Sequence, residues 1–198
     1  MRVKTDARRQ AIVAAAWEVF RESGFERTTM SEISERAGGS KATLYSYFKN
    51  KEELFAAALE QAMRERTEAA FERVAGAGEL SGRLLDFARA YMEMRLAPDM
   101  ISVDRALIGE AERSELGEFL RGQFVLPQWQ RLAAVMEQEM AAGRLRKADP
   151  YRATMHFRGL VEADLVERRL HGDTNVAPRE IEDAVTCGVE VFLRAYAA

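Results

Sequence analysis

The sequence predicts an all-α fold of about nine helices. Apolar residues recur at helical spacing along the chain, and the alternation of β-branched residues that is typical of strands persists nowhere. Three of the four prolines stand in predicted loops or first helical turns, where a missing N–H costs nothing. These observations indicate that any functional site lies on helices or on the turns between them.

The first two predicted helices are bounded by clear signals. Gly24 follows a helix over residues 6–23, where a left-handed residue commonly ends a helix. Thr29 and Glu32 form a capping box, which predicts a second helix up to Ala37. The apolar face of the first helix comprises Ile12, Ala15, Ala16, Val19 and Phe20.

The third and fourth helices follow closely. Gly38-Gly39 predicts a tight turn, and Ser40 can cap a short third helix, residues 41–48. Asn50 repeats the capping pattern before a long fourth helix, residues 51–75. Gly76-Ala77-Gly78 then predicts a break in the chain.

The rest of the chain predicts five more helices. Pro127 falls inside one of them, so we expect that helix to kink or split there. The five helices are predicted over residues 81–97, 100–113, 115–142, 149–171 and 178–197.

Charge and composition exclude some classes of protein. The net charge is -3, but residues 1–55 contain ten Lys/Arg and eight Asp/Glu, whereas the rest contains nineteen and twenty-four. A weakly basic N-terminal segment is typical of a protein that contacts nucleic-acid phosphates at one end. The chain has no apolar run long enough for a membrane helix and no signal peptide, so we expect a cytoplasmic protein without membrane contact.

Residues 28–48 have the layout of a helix-turn-helix. Two short helices are joined by a tight, glycine-containing turn, which is too short to let the helices move apart. Their inward residues are Ile33, Ala37, Leu44 and Phe48, with Val19 and Phe20 from the first helix. The outward polar residues of the third helix are Lys41, Thr43, Tyr45, Ser46 and Tyr47. This pattern predicts a reader of double-stranded DNA.

The first 55 residues closely resemble the TetR family of bacterial transcriptional regulators. The resemblance is carried by Gly24-Phe25, Thr28-Thr29, the stretch from Ile33 to Gly38, the stretch from Ser40 to Phe48, and Asn50-Lys51-Glu52-Glu53-Leu54. Gly39 departs from the family pattern, which usually has valine there. We expect this less apolar turn to loosen the packing between the two helices.

The resemblance implies which residues contact DNA. Lys41, Ala42, Thr43 and Ser46 are expected at base edges, since lysine can donate to guanine and the threonine methyl can meet thymine. The full predicted set is Thr29, Ser40, Lys41, Ala42, Thr43, Tyr45, Ser46, Tyr47 and Lys51, with Thr29 and Lys51 as phosphate clamps. In the alternative interpretation, Tyr45 and Tyr47 only cover the small core and Lys41 is a solvated charge.

The last two predicted helices are interpreted as an association surface. Apolar residues recur along 178–197 with nearly heptad spacing, widened by Ala184, Val191 and Ala195, and 149–171 is apolar on two sides. TetR-like proteins dimerise through their last two helices, so the resemblance implies a homodimer. The predicted interface is Phe157, Gly159, Leu160, Ala163, Val166, Ile181, Val185, Gly188, Val189, Phe192 and Tyr196. The alternative is ordinary intrachain core.

Residues 81 to about 170 resemble the AefR-like C-terminal domains of one TetR subgroup. This resemblance implies a pocket for a small-molecule effector that the sequence does not identify. Its expected walls are Phe87, Tyr91, Met94, Ile108, Phe124, Trp129, Met136 and Phe157. The alternative is that these large residues form core. Arg95, Arg105 and Arg158 could meet an anionic effector, or they are solvated charges, which we favour.

No cofactor, metal site or catalytic residue is predicted. His156 and His171 lack a flanking carboxylate pattern, and Cys187 is the sole cysteine, expected as a small apolar filler of the helix seam.

The preferred hypothesis is a ligand-responsive repressor that binds a near-palindromic operator as a homodimer. Residues 1–50 are expected to form its DNA-binding domain and residues 51–198 its effector-binding and dimerisation domain, connected by the helix over 51–75. The alternatives are a helical ligand-binding protein or small enzyme without DNA function, and an architectural DNA-binding protein.

Overall fold

The computed structural model describes residues 5–110 and 116–198, and these residues confirm the all-α fold. They contain eleven α-helical segments and no strand. The helices are α1 (Asp6–Arg27), α2 (Met30–Arg36), α3 (Lys41–Tyr47), α4 (Lys51–Ala75), α5 (Leu80–Arg95), α6 (Pro98–Glu110), α7 (Leu116–Leu120), α8 (Leu126–Ala141), α9 (Pro150–Glu162), α10 (Leu165–Leu170) and α11 (Pro178–Tyr196). The predicted boundaries at residues 113 and 115 lie outside the described residues.

Contacts divide the described chain into two compact units. The reading unit comprises residues within 1–65 and 105–124, and the body comprises residues within 66–104 and 125–198. Helix α4 begins in the reading unit and ends in the body.

The reading unit is built on short, well-capped helices. Gly24 has φ 76° and ψ 166° and interrupts α1 where the sequence predicted its end, although helical residues continue to Arg27. The Thr29–Glu32 capping box is formed in both directions, and the Ser40 hydroxyl accepts from the backbone N–H of Thr43. These caps fix where each helix starts, because they satisfy N–H groups that have no partner within the helix.

Two predicted long helices are divided in the structure. A π-helical turn, Arg121–Val125, separates α7 from α8 immediately before Pro127, which confirms the expected disturbance there. The predicted helix over 149–171 is wrong, because Ala163 adopts φ 46° and ψ -125° and ends α9. A left-handed alanine carries no sequence signal of glycine or proline, so only the surrounding packing can impose it.

The body is built around packed aromatic rings. Phe157 is fully buried, with its ring centroid 5.2 Å from that of Phe192 and 6.2 Å from that of Phe87. Helices α9 and α11 approach so closely that a Cβ on Gly188 would stand 2.6 Å from the backbone oxygen of Leu160. Each of the two units thus has buried apolar residues of its own.

Candidate nucleic-acid interface

Helices α2 and α3 are held by a small apolar core in the reading unit. Ile33, Leu44 and Phe48 are each at most 1% exposed, and Val19 and Phe20 of α1 are buried with them. In the turn, Gly38 has φ 64°, which favours glycine, and the N–H of Gly39 donates to the Ser34 oxygen over 2.9 Å. The packing therefore orients α3 with one face inward and the other outward.

The outward face of α3 carries the predicted base-reading residues. Lys41, Ala42, Tyr45 and Ser46 are exposed, and Thr43 is half-buried. Three of the predicted hydroxyl groups also make local bonds: Ser40 Oγ and Thr43 Oγ1 lie 3.0 Å apart, and Ser46 Oγ donates to the backbone oxygen of Thr43 over 2.6 Å. Since each hydroxyl also accepts, these groups remain able to bond to a base or phosphate.

Three other predicted contact residues have intramolecular roles. Thr29 Oγ1 serves the α2 cap, and the half-buried Tyr47 accepts a bond from the backbone N–H of Thr5 over 3.1 Å. Lys51 Nζ donates to the Phe25 oxygen over 2.8 Å and lies 4.2 Å from the centroid of the Phe25 ring. Lys51 therefore caps the carboxyl end of α1, and its role as a phosphate clamp stays a prediction.

An arginine that the sequence did not single out reaches the turn. Arg8 of α1 donates from Nη2 to the Gly38 oxygen over 3.1 Å, and a Cβ on Gly39 would stand 2.4 Å from that same Nη2. The space above Gly39 is therefore filled by a guanidinium, and looser packing between the two helices stays a prediction. No local pattern could have indicated a contact across thirty residues.

A further ion pair connects α1 to α2. Arg36 donates to both carboxylate oxygens of Glu22, over 3.1 and 2.7 Å, and Glu18 lies 3.5 Å from it. The hydrogen bond to Glu22 raises the pKa of Arg36, and it lowers the pKa of Glu22. Both groups are exposed, so this pair sets orientation more than stability.

The residues predicted to line an effector pocket differ in burial and belong to two units. Phe87, Tyr91, Trp129, Met136 and Phe157 are buried in the core of the body, and Met94 packs against them half-buried. Ile108 is 63% exposed, and both Ile108 and Phe124 belong to the reading unit. The eight-residue wall stays a prediction, because helical periodicity cannot distinguish core from pocket.

The body contains a half-buried polar cluster beside these rings. The Tyr91 hydroxyl donates to Glu162, Arg158 Nε donates to Glu162 Oε1 over 2.9 Å, and Arg95 pairs with Asp104. Burial raises the pKa of Tyr91, and the Glu162 charge raises it further.

The two arginines of this cluster are held charged. Burial lowers the pKa of Arg95, but Asp104, Tyr91 and Glu162 together outweigh burial, so the net shift is upward. Arg158 also has a raised pKa, because its neighbours Tyr91 and Glu162 outweigh burial. Its guanidinium lies 5.1 Å from the centroid of the Trp129 ring. The expectation that Arg95 and Arg158 are solvated is therefore wrong.

A surface cavity of about 270 Å³ lies elsewhere in the body. Among the predicted pocket residues only Met94 lines it. Its other lining residues are Arg66, Ala69, Arg73, Ala90, Glu93 and Ala97.

Most of the predicted dimer residues are packed within their own chain. The buried members are Phe157, Val166, Val185, Gly188, Val189, Phe192 and Tyr196. Gly159 and Ala163 are exposed, and Leu160 and Ile181 are half-buried. Cys187 is exposed on its own chain, so its interpretation as a filler of a seam between two chains stays a prediction. The buried positions of α11 contribute to the core of their own chain, and the dimer interface stays a prediction.

The described residues contain neither a candidate membrane-spanning helix nor a candidate metal site. None of the helices in residues 5–110 and 116–198 combines the length and apolar character needed to cross a bilayer. Within those same ranges, no group of three or more His, Cys, Asp or Glu side chains could hold a metal ion.

Comparison with known proteins matches both parts of the chain to families. Residues 12–58 match the family described as bacterial regulatory proteins, tetR family. Residues 82–198, more than half of the chain, match the AefR-like transcriptional repressor C-terminal domain.

Curated relatives are similar over shorter stretches. The regulator BetI of Rhizobium meliloti is 32% identical over 109 residues, 54% of this chain and 54% of BetI. The transcriptional activator FasR of Mycolicibacterium smegmatis is 43% identical over 60 residues, 30% of this chain and 27% of FasR. The chain thus spans about half of BetI and a quarter of FasR.

Solved structures are similar over the whole chain. A TetR-family regulator from Mesorhizobium loti has a TM-score of 0.85 at 23% identity and covers 100% of both chains, which shows a shared fold. The flavonoid-responsive regulator FrrA has a TM-score of 0.74 at 30% identity and covers 98% of both chains. The chain therefore belongs to the TetR family of transcriptional regulators, with a helix-turn-helix DNA-binding domain at its N-terminus and an AefR-like C-terminal domain.

Proposed function

We propose that this protein is a ligand-responsive repressor that binds a near-palindromic operator as a homodimer in the cytoplasm. The observation that carries the proposal is α3, whose outward face presents Lys41, Ala42, Tyr45 and Ser46 while Leu44 anchors it to the core. A rigidly oriented helix with short polar side chains suits the major groove.

Repression is favoured over activation by the length of the shared region. The AefR-like repressor domain matches residues 82–198, whereas the activator FasR shares only 60 residues with this chain. Repression also requires nothing beyond occupancy of a promoter.

The dimer is proposed to form through the exposed faces of α9 and α11. On α11, Ala184 is half-buried, Cys187 is exposed and Val191 is 40% exposed, at spacings that keep them on one side of the helix. On α9, Tyr151 is 36% exposed, and Gly159 follows two turns later. A two-fold dimer would present two α3 helices at half-sites about 34 Å apart.

The effector is proposed to be an aromatic molecule with a hydrogen-bonding substituent. The rings of Phe87, Tyr91 and Trp129, beside the polar groups of Arg158 and Glu162, suit such a ligand. The similarity to the flavonoid-responsive FrrA supports the same class. Since these side chains now contact one another, the ligand has to displace the Tyr91–Glu162 bond, and an effector acts only through such a difference between states.

The central test is a selection of duplexes from a random library with the purified protein. We expect recovery of a near-palindromic sequence, and a reporter with that sequence in its promoter should be silenced. Recovery of unrelated sequences would sink the proposal of an operator, and an increase in reporter output would sink repression. Light scattering at micromolar concentration should give twice the mass of 22.3 kDa, and a single-chain mass would contradict the dimer.

The predicted contact roles can be separated by two substitutions. Thr43→Ala should change which duplexes are preferred, because a side chain at a base edge carries sequence information. Lys51→Ala should weaken binding to all duplexes and reduce the salt slope by about 0.9 if its ammonium contacts a phosphate. An unchanged salt slope would leave Lys51 as the α1 cap only.

The effector class is tested by thermal unfolding with a flavonoid, benzoate and cyclohexanecarboxylate. At a hundredfold excess over its dissociation constant, a true ligand stabilises by about 2.7 kcal/mol. Stabilisation by the aromatic compounds alone is expected. Equal stabilisation by cyclohexanecarboxylate would contradict the aromatic class.

A further inference from the structure

The first turn of α1 contacts both ends of α3. The backbone N–H of Thr5 donates to the hydroxyl of Tyr47, the last residue of α3, over 3.1 Å. Arg8 donates to the Gly38 oxygen, in the turn before α3, over 3.1 Å. The Arg9 guanidinium lies 5.2 Å from the centroid of the Phe48 ring, one residue beyond α3. These contacts brace the helix that is proposed to read DNA.

Gly39 leaves the space that one of these contacts requires. Its φ is not in the left-handed region, so its backbone would accept a side chain. The obstacle is Arg8, whose Nη2 would stand 2.4 Å from the added Cβ and whose Cζ would stand 3.6 Å from it. A residue with a side chain at position 39 thus competes with the Arg8 guanidinium for one volume.

We propose that Arg8 is a positioning residue of the DNA reader, whose guanidinium occupies the space left by Gly39 and fixes the turn before α3. This inference rests on the proposed reading role of α3. Arg8 is half-buried, whereas its neighbour Arg9 is exposed. Its charge assists a hydrogen bond to a carbonyl of the protein itself.

This role differs from a phosphate contact in its dependence on salt. A lysine or arginine that neutralises a phosphate contributes about 0.9 to the slope of log affinity against log salt. A side chain that only orients α3 changes the affinity for the preferred duplex and leaves the slope unchanged. The same side chain should also protect the amides of α3 from hydrogen exchange without any DNA.

The experiment is a double-substitution cycle with Arg8→Ala, Gly39→Val and the combined variant. The probe is the preferred duplex that the wild-type protein selects from a random library. Each single substitution should weaken binding by about fivefold at unchanged salt slope, because each removes the same charge-assisted bond. The combined variant should bind no worse than Arg8→Ala alone, since valine then fills a space that is already vacant.

Two controls keep the result interpretable. Arg21→Ala removes an exposed arginine of the same helix and should leave both affinity and exchange unchanged. Arg8→Lys retains the charge but lacks the planar fork, so it should behave like Arg8→Ala if geometry matters. Circular dichroism identifies any variant that has lost its helices. If Arg8→Ala has lost its helices, Gly39→Val and Arg8→Lys are each compared with the wild-type protein instead. The proposal then predicts the same fivefold loss of affinity, at unchanged salt slope, for both variants.

Several outcomes would overturn the proposal. Independent, multiplying losses in the combined variant would show that Arg8 and Gly39 do not share a space. A fall of about 0.9 in the salt slope with Arg8→Ala would make Arg8 a phosphate contact. If the wild-type protein selects no duplex, the proposed function fails. Faster amide exchange over residues 40–48 in Arg8→Ala, but not in Arg21→Ala, would then still support the brace, and equal exchange in all variants would reject it.

Discussion

The two units of the protein differ in the polar side chains that they bury. In the reading unit, the described core is apolar, and its buried polar residues are the uncharged Thr28 and Ser34. The body buries a carboxylate, Glu139, which is 3% exposed, and encloses the half-buried cluster around Glu162. An apolar core holds one shape, whereas half-buried charges can exchange partners when a ligand arrives. The contrast agrees with the functions that we propose for the two units, DNA binding for the first and ligand binding for the second.

Different features also determine the helices of the two units. In the reading unit, helices of seven residues depend on caps such as Thr29 and Ser40. In the body, longer helices depend on close contact, as between Phe157 and Phe192 or between Gly188 and Leu160. Substitutions should therefore be costly at interior contacts in the body and moderately costly at caps in the reading unit.

The largest expected effect is that of Phe157→Ala in the body. Removal of a fully buried ring between Phe87 and Phe192 leaves a cavity and should lower the free energy of unfolding by about 3–5 kcal/mol. Urea titration measures it. Arg152→Ala, at an exposed position of the same helix, should stay within about 0.5 kcal/mol of wild type. A similar loss for both would refute the role assigned to the rings.

The next effect is that of Glu139→Gln. Glu139 pairs with Arg144 and, over 2.8 Å, with Arg83, and the side chain of Arg83 is only 12% exposed. Because an unpaired arginine would remain half-buried, we expect a loss of about 2–3 kcal/mol near pH 7. Urea titration of wild type and variant measures the difference.

The pH dependence of the same pair gives an independent check. The bonds to Arg144 and Arg83 lower the pKa of Glu139 below its ordinary value of 4.5. Its contribution is therefore complete above pH 4.5 and is lost as the pH falls through the lowered folded value. The gap between wild type and Glu139→Gln should narrow in that acid range. Glu137→Gln, at an exposed position two residues away, is the matched control.

A third prediction compares two glycines of the body. Gly188→Ala should cost about 1–3 kcal/mol, because the added Cβ meets backbone atoms of Leu160 and Val161 that cannot rotate away. Gly82→Ala in α5 has open space around its Cβ and should stabilise that helix by up to about 1 kcal/mol. Opposite signs in urea titration are expected. A stabilising Gly188→Ala would contradict the close approach of α9 and α11.

The smallest effect is expected for a cap of the reading unit. Thr29→Ala removes the hydroxyl that accepts from the Glu32 N–H and should cost about 1 kcal/mol. Thr29→Ser retains the hydroxyl and should retain most of the stability. Thermal unfolding without DNA measures both, and an equal loss for both would show that the cap is not the cause. The contrast between the units would fail if Thr29→Ala were as costly as Phe157→Ala.

Prediction from sequence succeeded where structure is determined locally. The capping box at Thr29, the Ser40 cap and the Gly38-Gly39 turn placed α2 and α3 to within one or two residues. Among the outward residues predicted for α3, Lys41, Tyr45 and Ser46 are exposed, and Thr43 and Tyr47 are half-buried. A cap and a turn involve residues within four positions of one another, so the sequence displays them directly.

Prediction failed where distant packing decides. Ala163 ends α9 in a conformation that alanine rarely adopts, and nothing in its neighbouring residues indicates it. The apolar seam of α11 has the periodicity of a dimer interface, yet Phe192 and Val185 are fully buried in their own chain. Periodicity shows that a face is covered but not which chain covers it.

The shared space of Arg8 and Gly39 has an evolutionary consequence. A lineage that gains a bulky side chain in the turn displaces the guanidinium of Arg8 from the space above Gly39, so an arginine at position 8 is no longer held there. Homologues with valine at position 39 are therefore expected to carry a residue other than arginine at position 8. The two positions should covary although thirty residues of chain separate them.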